Sequence, residues 1–264
     1  MSPRTLAPTV LAVLLLGGLF VAVPKEPADV QATPAEAPAS GGVAVVELFT
    51  SEGCSSCPPA DRLLGTLVEE ARSGERSLYA LSFHVDYWNH LGWEDPYSDP
   101  AYSERQRAYA EALGARVYTP QMIVNGRKVL VGSREAEVRS AVEGALSEPA
   151  TTVPELRLQS GTDESPSVRI ALPEVPDDAA VQVALVERGL SQSVSRGENA
   201  GRTLRHTNVV RAFKTVPAEQ SQVVTLNAPS DLDPGQSSII AYVQDRRSKD
   251  VLGAARTELR DSSP

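Results

Sequence analysis

Cys54 and Cys57 stand two residues apart in Cys54-Ser55-Ser56-Cys57. Pro58-Pro59 follows, and then Ala60, Leu63, Leu64, Leu67, Val68 and Ala71 recur at three- and four-residue spacing, the apolar stripe of a helix. Prolines belong in the first turn of a helix, so Cys57 opens it and Cys54 lies on the turn before it. Thiol–disulfide exchange needs a thiolate that can attack a disulfide sulfur in line. A cysteine at a helix start is suited to this, because the unpaired amides and positive dipole end favour its anion. Cys54 is therefore the expected nucleophile, within reach of a partner, and Cys57, one turn deeper, would resolve the mixed disulfide. Ser55 and Ser56 add hydroxyl donors, whereas the Glu52 carboxylate opposes the lowering of the thiol pKa. The pair encloses too small a loop to restrain much unfolded-state entropy, which argues against a purely structural staple.

The elements that must hold this turn are legible on both sides of it. Val43-Ala44-Val45-Val46-Glu47-Leu48-Phe49-Thr50 is a nearly unbroken apolar run, expected of a strand buried on both faces. Leu78-Tyr79-Ala80-Leu81-Ser82-Phe83 reads as the next strand, completing a βαβ unit. Ser98-Asp99-Pro100 opens a helix to about Leu113. Gln121–Val124 and 127–132 are strands joined by Asn125-Gly126, the strongest short hairpin signal. Ser133 is the expected cap of a last helix carrying Ala136, Val138, Ala141, Val142 and Leu146. From Glu148 the texture changes: prolines punctuate short strand-like runs at 168–172, 181–186, 223–226 and 238–243, which predicts a small mostly-β domain.

The order β-α-β-α-β-β-α with a Cys-x-x-Cys between first strand and first helix resembles the thioredoxin superfamily over residues 43–147. With Phe83-His84-Val85-Asp86-Tyr87-Trp88 and Gly92-Trp93, the whole chain resembles exported bacterial proteins grouped as domain of unknown function 1223. The superfamily resemblance implies that Thr119-Pro120, before the hairpin, is a cis peptide facing the cysteine pair, with Thr119 backbone groups turned toward a client strand. Thr119 and Pro120 thus join Cys54 and Cys57 as candidate site residues. Copper-delivery proteins on this fold offer a rival, a soft-metal site of Cys54, Cys57 and a histidine, although they usually place one more residue between the cysteines. A zinc site lacks its second cysteine pair. No resident cofactor or metal is expected for the exchange reading, and a third reading keeps the cysteines as a regulatory disulfide on a client-binding protein.

Other residues are open to two readings. His84 and Asp86 alternate at a strand end, so one of them can serve as proton acceptor for Cys57, or His84 can bond within its loop. Tyr87, Trp88 and Trp93 suit an apolar rim for a partner and equally the packing of a long loop. Arg202, Arg205, His206 and Arg211 read as a solvated face in preference to a charged dock.

Arg4 ahead of an apolar stretch from Leu6 to Val23, with a polar Pro/Ala-rich tether after it, reads as an export signal. Val30-Gln31-Ala32 offers a cleavage site. If retained, the stretch approaches the roughly 20 residues of a membrane anchor. Residues 1–32 are thus signal or anchor, 33–42 linker, 43–147 the α/β domain and 148–264 the β-rich domain. Either version places the body in an oxidising compartment, periplasmic or extracellular, where a stapled scaffold would carry more than two cysteines in 264 residues. A net charge of −9 disfavours nucleic acid as a partner. The expected partners are protein thiols or disulfides and a separate redox partner.

Overall fold

The computed structural model describes Met1, residues 41–162 and residues 164–259. The export segment and nearly all of the tether lie outside the described residues. The first half runs β1 (Ala44–Thr50), α1 (Pro58–Ser73), β2 (Leu78–His84), α2 (Pro100–Leu113), β3 (Gln121–Val124), β4 (Lys128–Val131) and α3 (Glu135–Ser147). The second half supplies β5 (Glu155–Thr162), β6 (Ser165–Ala171), β7 (Ala179–Glu187), β8 (Leu190–Ser193), β9 (Thr203–His206), β10 (Val209–Pro217), β11 (Ser221–Thr225), β12 (Ser237–Asp245) and β13 (Val251–Glu258).

The architecture is mixed α/β around an eight-stranded sheet ordered β13-β12-β7-β10-β2-β1-β3-β4. β1 is buried at all seven positions, paired parallel to β2 and antiparallel to β3, as its continuous apolar run requires. Its side chains alternate between two cores. Ala44, Val46 and Leu48 meet α1 and α3, while Val45 and Phe49 share a core with Tyr102 and Tyr109 of α2. That second core runs on across the sheet to Val186 and Tyr242. On the opposite face, a three-stranded sheet, β11-β6-β5, packs on Val181, Val183, Ile239 and Ala241.

Local signals account for several ends. Asp99 caps α2 by accepting the Ala101 N–H at 2.8 Å, with Pro100 in the first turn. Asn125 and Gly126 turn the β3–β4 hairpin with φ of 47° and 68°. A Cβ on Gly126 would lie 1.7 Å from the Lys249 carbonyl oxygen, so only glycine fits. Ser133 does not cap α3; the cap position falls to Arg134, which makes no side-chain capping bond.

The expected separation at 147/148 differs from the structure. β10 continues the sheet from the free edge of β2: Ser82 N–H donates to the Asn208 carbonyl at 2.9 Å and Asn208 Nδ2 to the Ala80 carbonyl at 3.0 Å. An unpaired edge on a buried strand needs such a partner. Both halves therefore belong to one compact unit.

Candidate functional site

Cys57 takes the N-cap position of α1 with helical backbone angles and no side-chain cap, and Pro58 and Pro59 follow. A tight turn delivers the cysteines: the Cys54 N–H donates to the Ser51 carbonyl at 3.1 Å and the Cys57 N–H to the Cys54 carbonyl at 3.2 Å. Cys54 and Cys57 are joined as a disulfide. The Thr119–Pro120 peptide is cis. Thr119 Oγ1 donates to Cys54 Sγ at 3.3 Å and accepts from Trp88 Nε1 at 2.8 Å, so a hydrogen-bonded chain runs from the indole to the sulfur. Ser56 Oγ lies 3.3 Å from the same sulfur. The four candidate residues Cys54, Cys57, Thr119 and Pro120 thus frame one place in the fold.

Exposure departs from expectation. Cys54 was expected within reach of a partner, yet both cysteines are 0% exposed. The cause is long-range cover. Trp88 packs over Gly53, and the Asn199 side chain donates to the carbonyls of Glu52 at 2.8 Å and Cys54 at 3.0 Å.

Beneath the disulfide lies a buried polar cluster. Asp61 sits one turn along α1 from Cys57, on the same face, with its N–H donating to the Cys57 carbonyl at 3.2 Å. His84, at the end of β2, bonds through Nδ1 to Asp95 Oδ2 at 2.7 Å; that same oxygen accepts the Glu52 N–H at 2.8 Å. Glu52 Oε1 meets His206 Nε2 at 3.0 Å and Glu52 Oε2 accepts from Trp93 Nε1 at 2.8 Å. The two imidazoles cross edge to face with centroids 4.8 Å apart. His84 Nε2, His206 Nδ1 and Asp61 Oδ1 have no hydrogen-bond partner among the described residues.

Burial holds the Asp61 carboxyl above its usual value, although His206, His84 and Thr50 pull the other way. Burial also acts to lower His84 and to raise Asp95. In each case the partner outweighs it, so His84 is held above and Asp95 below the ordinary value. Among the described residues, no group of three His, Cys, Asp or Glu side chains is arranged to hold a metal ion.

The structure therefore places His84 in an ion pair with Asp95 from its own long loop, while Asp86 turns away to accept from Ser103 Oγ at 2.5 Å. The solvated face expected of the second half is only partly one. Arg202 and Arg205 are exposed, but His206 is buried on Glu52, and Arg211 is bound by Glu187 and Asp231. Asp61, Asp95, Glu198 and Asn199 were missed by sequence reasoning. Asp61 had a signal, a carboxylate on the apolar stripe of α1. His206 had one too, since Leu204 and His206 alternate as buried positions between exposed Thr203 and Arg205.

Comparison with known proteins adds a family and a fold relative. The family described as "Protein of unknown function (DUF1223)" matches residues 45–244. A crystal structure of a protein from Agrobacterium tumefaciens is similar at 28% identity and a TM-score of 0.62, over 87% of this chain and 99% of that one. No curated protein matches.

Proposed function

The chain belongs to the family described as "Protein of unknown function (DUF1223)", and from its site we propose an exported thiol–disulfide oxidoreductase acting on protein thiols or disulfides through Cys54 and Cys57. The observation that carries the reading is the hydroxyl of Thr119 donating to Cys54 Sγ on the turn that leads into α1. The same donor stabilises a thiolate at that sulfur once the pair is reduced. The element order β1-α1-β2-α2-β3-β4-α3 supports a thioredoxin-like core within the larger sheet. The apolar N-terminal run supports delivery to an oxidising compartment.

In the oxidising direction, a client thiolate attacks Cys54 Sγ. The Cys54–Cys57 bond breaks as a client–Cys54 bond forms, and Cys57 leaves as the thiolate and takes a proton. A second client thiolate then attacks the client sulfur and expels Cys54. Two client thiols become one disulfide, and the protein's disulfide becomes two thiols. The reverse sequence reduces a client disulfide. The Asp61 carboxyl, buried one turn along α1 from Cys57, is the group to hold or yield the proton.

The test is catalysed oxidation of a reduced, unfolded dithiol protein by the full chain in a glutathione buffer. The wild-type chain is expected to accelerate disulfide formation and the double variant Cys54→Ser/Cys57→Ser to match buffer alone. Equal rates for both would contradict the proposal.

A further inference from the structure

The surface around the cysteines and the cysteines themselves do not match. Ser55, Ser56 and Pro59 are exposed, yet both sulfurs are sealed. From the second half of the chain, the tip of the β8–β9 hairpin, residues 194–202, lies on the turn that bears Cys54. Most of that tip is exposed. Val194 at 2% and Asn199 at 0% are the exceptions, and all of the polar side-chain atoms of Asn199 are engaged. Nδ2 donates to the carbonyls of Glu52 and Cys54, and Oδ1 accepts from an Arg202 guanidinium N–H at 2.9 Å. Beside it, Glu198 Oε2 accepts the Ser55 N–H at 3.1 Å. The Glu198 and Asn199 side chains thus hold the turn that bears Cys54 from outside.

The hairpin is a unit of its own. β8 and β9 form their own two-stranded sheet, apart from the eight-stranded one. The tip closes on itself through Val194 N–H to the Arg202 carbonyl at 2.9 Å and Gly201 N–H to the Val194 carbonyl at 2.8 Å. Gly197 and Gly201 turn the chain there with φ of 75° and 80°. The base stays fixed where His206 bonds to Glu52. Lifting the tip breaks these side-chain bonds, uncovers Val194 and parts Gly197 from Trp93, and leaves the ladder of the large sheet intact.

We propose that residues 194–202 are an internal occupant of the client site, displaced when an extended, cysteine-bearing polypeptide docks on the Cys54 turn. The proposal rests on the exchange reading above. Once Asn199 leaves, the Glu52 carbonyl loses its donor and the Cys54 carbonyl keeps only the Cys57 N–H at 3.2 Å. Buried carbonyls need donors, and the free backbone N–H groups of an extended client supply them. A folded protein with a rigid surface thiol does not supply them. The partner class is therefore unfolded or extended chain.

Two measurements on the full chain test this. In the first, dithiothreitol reduces Cys54–Cys57 and iodoacetamide mass labelling reports the rate. The wild-type rate levels off as dithiothreitol rises, because opening becomes limiting. Asn199→Asp, nearly unchanged in size but turning a carboxylate on two carbonyls, raises the plateau about tenfold or more, two bonds being lost. Glu198→Ala, at an exposed position, raises it less. A wild-type rate proportional to dithiothreitol throughout and equal in all three chains overturns the proposal. In the second, Cys57→Ser, with and without Asn199→Asp, is mixed with an extended peptide carrying a cysteine activated as a mixed disulfide with thionitrobenzoate. Faster trapping with Asn199→Asp supports the proposal. Equal trapping in both chains overturns it and leaves the exchange reading standing. No trapping in either chain overturns the exchange reading, and the client assignment with it.

Discussion

Two buried polar networks join the halves of this chain, one on each side of the central sheet, and they are built to opposite standards. On the α2 side, Arg105 grips Glu47 with Nε to Oε2 at 2.6 Å and a terminal nitrogen to Oε1 at 3.0 Å. Tyr242 donates to Glu47 Oε1 at 3.0 Å and accepts from Arg105 at 2.7 Å, and Gln244 donates to Tyr109 at 2.7 Å. The ion pair is closed on both partners. On the α1 side, the cluster of Glu52, Asp61, His84, Asp95 and His206 is just as buried. It leaves three polar atoms without partners among the described residues. Buried polar groups are nearly always satisfied, so the exceptions mark places with another role. The first network is a seam, and the second lies beside the cysteine pair, where the proposed exchange would draw on it.

Breaking the seam should have the largest effect. Glu47→Ala leaves Arg105 buried and unpaired, and urea unfolding should show a loss of about 3–5 kcal/mol. Folded variant should still exchange disulfides, because the seam lies on the other face of the sheet from Cys57. Loss of exchange without loss of stability would invert the assignment of the two networks.

Asp61 sharpens the contrast through pH. Its raised folded-state pKa means that its contribution to stability is present below the ordinary carboxylate value of about 3.9 and is lost as pH rises through the folded value. Asp61→Asn mimics the neutral acid. Its melting temperature relative to wild type should therefore climb from pH 4 to pH 8, while exchange slows if the carboxyl handles the Cys57 proton. A difference in melting temperature that does not vary with pH would remove the buried-acid account.

Thr119→Val should have the smallest effect on folding, about 1–2 kcal/mol for the two hydrogen bonds of its hydroxyl, yet it removes the donor to Cys54. The expected signature is slower exchange and a raised thiol pKa at Cys54 in reduced protein, read by the pH dependence of iodoacetamide labelling. Unchanged labelling would place the hydroxyl outside the chemistry.

Much of this was legible where the information is local. The apolar run of β1, the proline-started stripe of α1 and Asn125-Gly126 each carry their structure within a few residues. Asn125 also does something no local pattern announces: its side chain accepts from Val45 N–H and donates to the Val43 carbonyl, tying the hairpin to β1. The junction of the halves was not legible, because β2 declares itself buried without naming the strand at its edge. For the same reason, Asn199 and His206 read as members of a polar stretch. Their partners, Glu52 and Cys54, lie about 150 residues earlier. A Cys-x-x-Cys at a helix start suggested an accessible nucleophile, and tertiary cover from Trp88 and the β8–β9 tip, distant in sequence, accompanies its burial.

The central claim is that Cys54 attacks and Cys57 resolves. The most direct measurement is mixed-disulfide trapping by the two single variants of the full chain, read by mass spectrometry under non-reducing conditions. Cys57→Ser should accumulate covalent adducts with reducible protein clients through Cys54, and Cys54→Ser should accumulate none. Equal absence of adducts in both variants, with each folded as the wild type, would contradict the account.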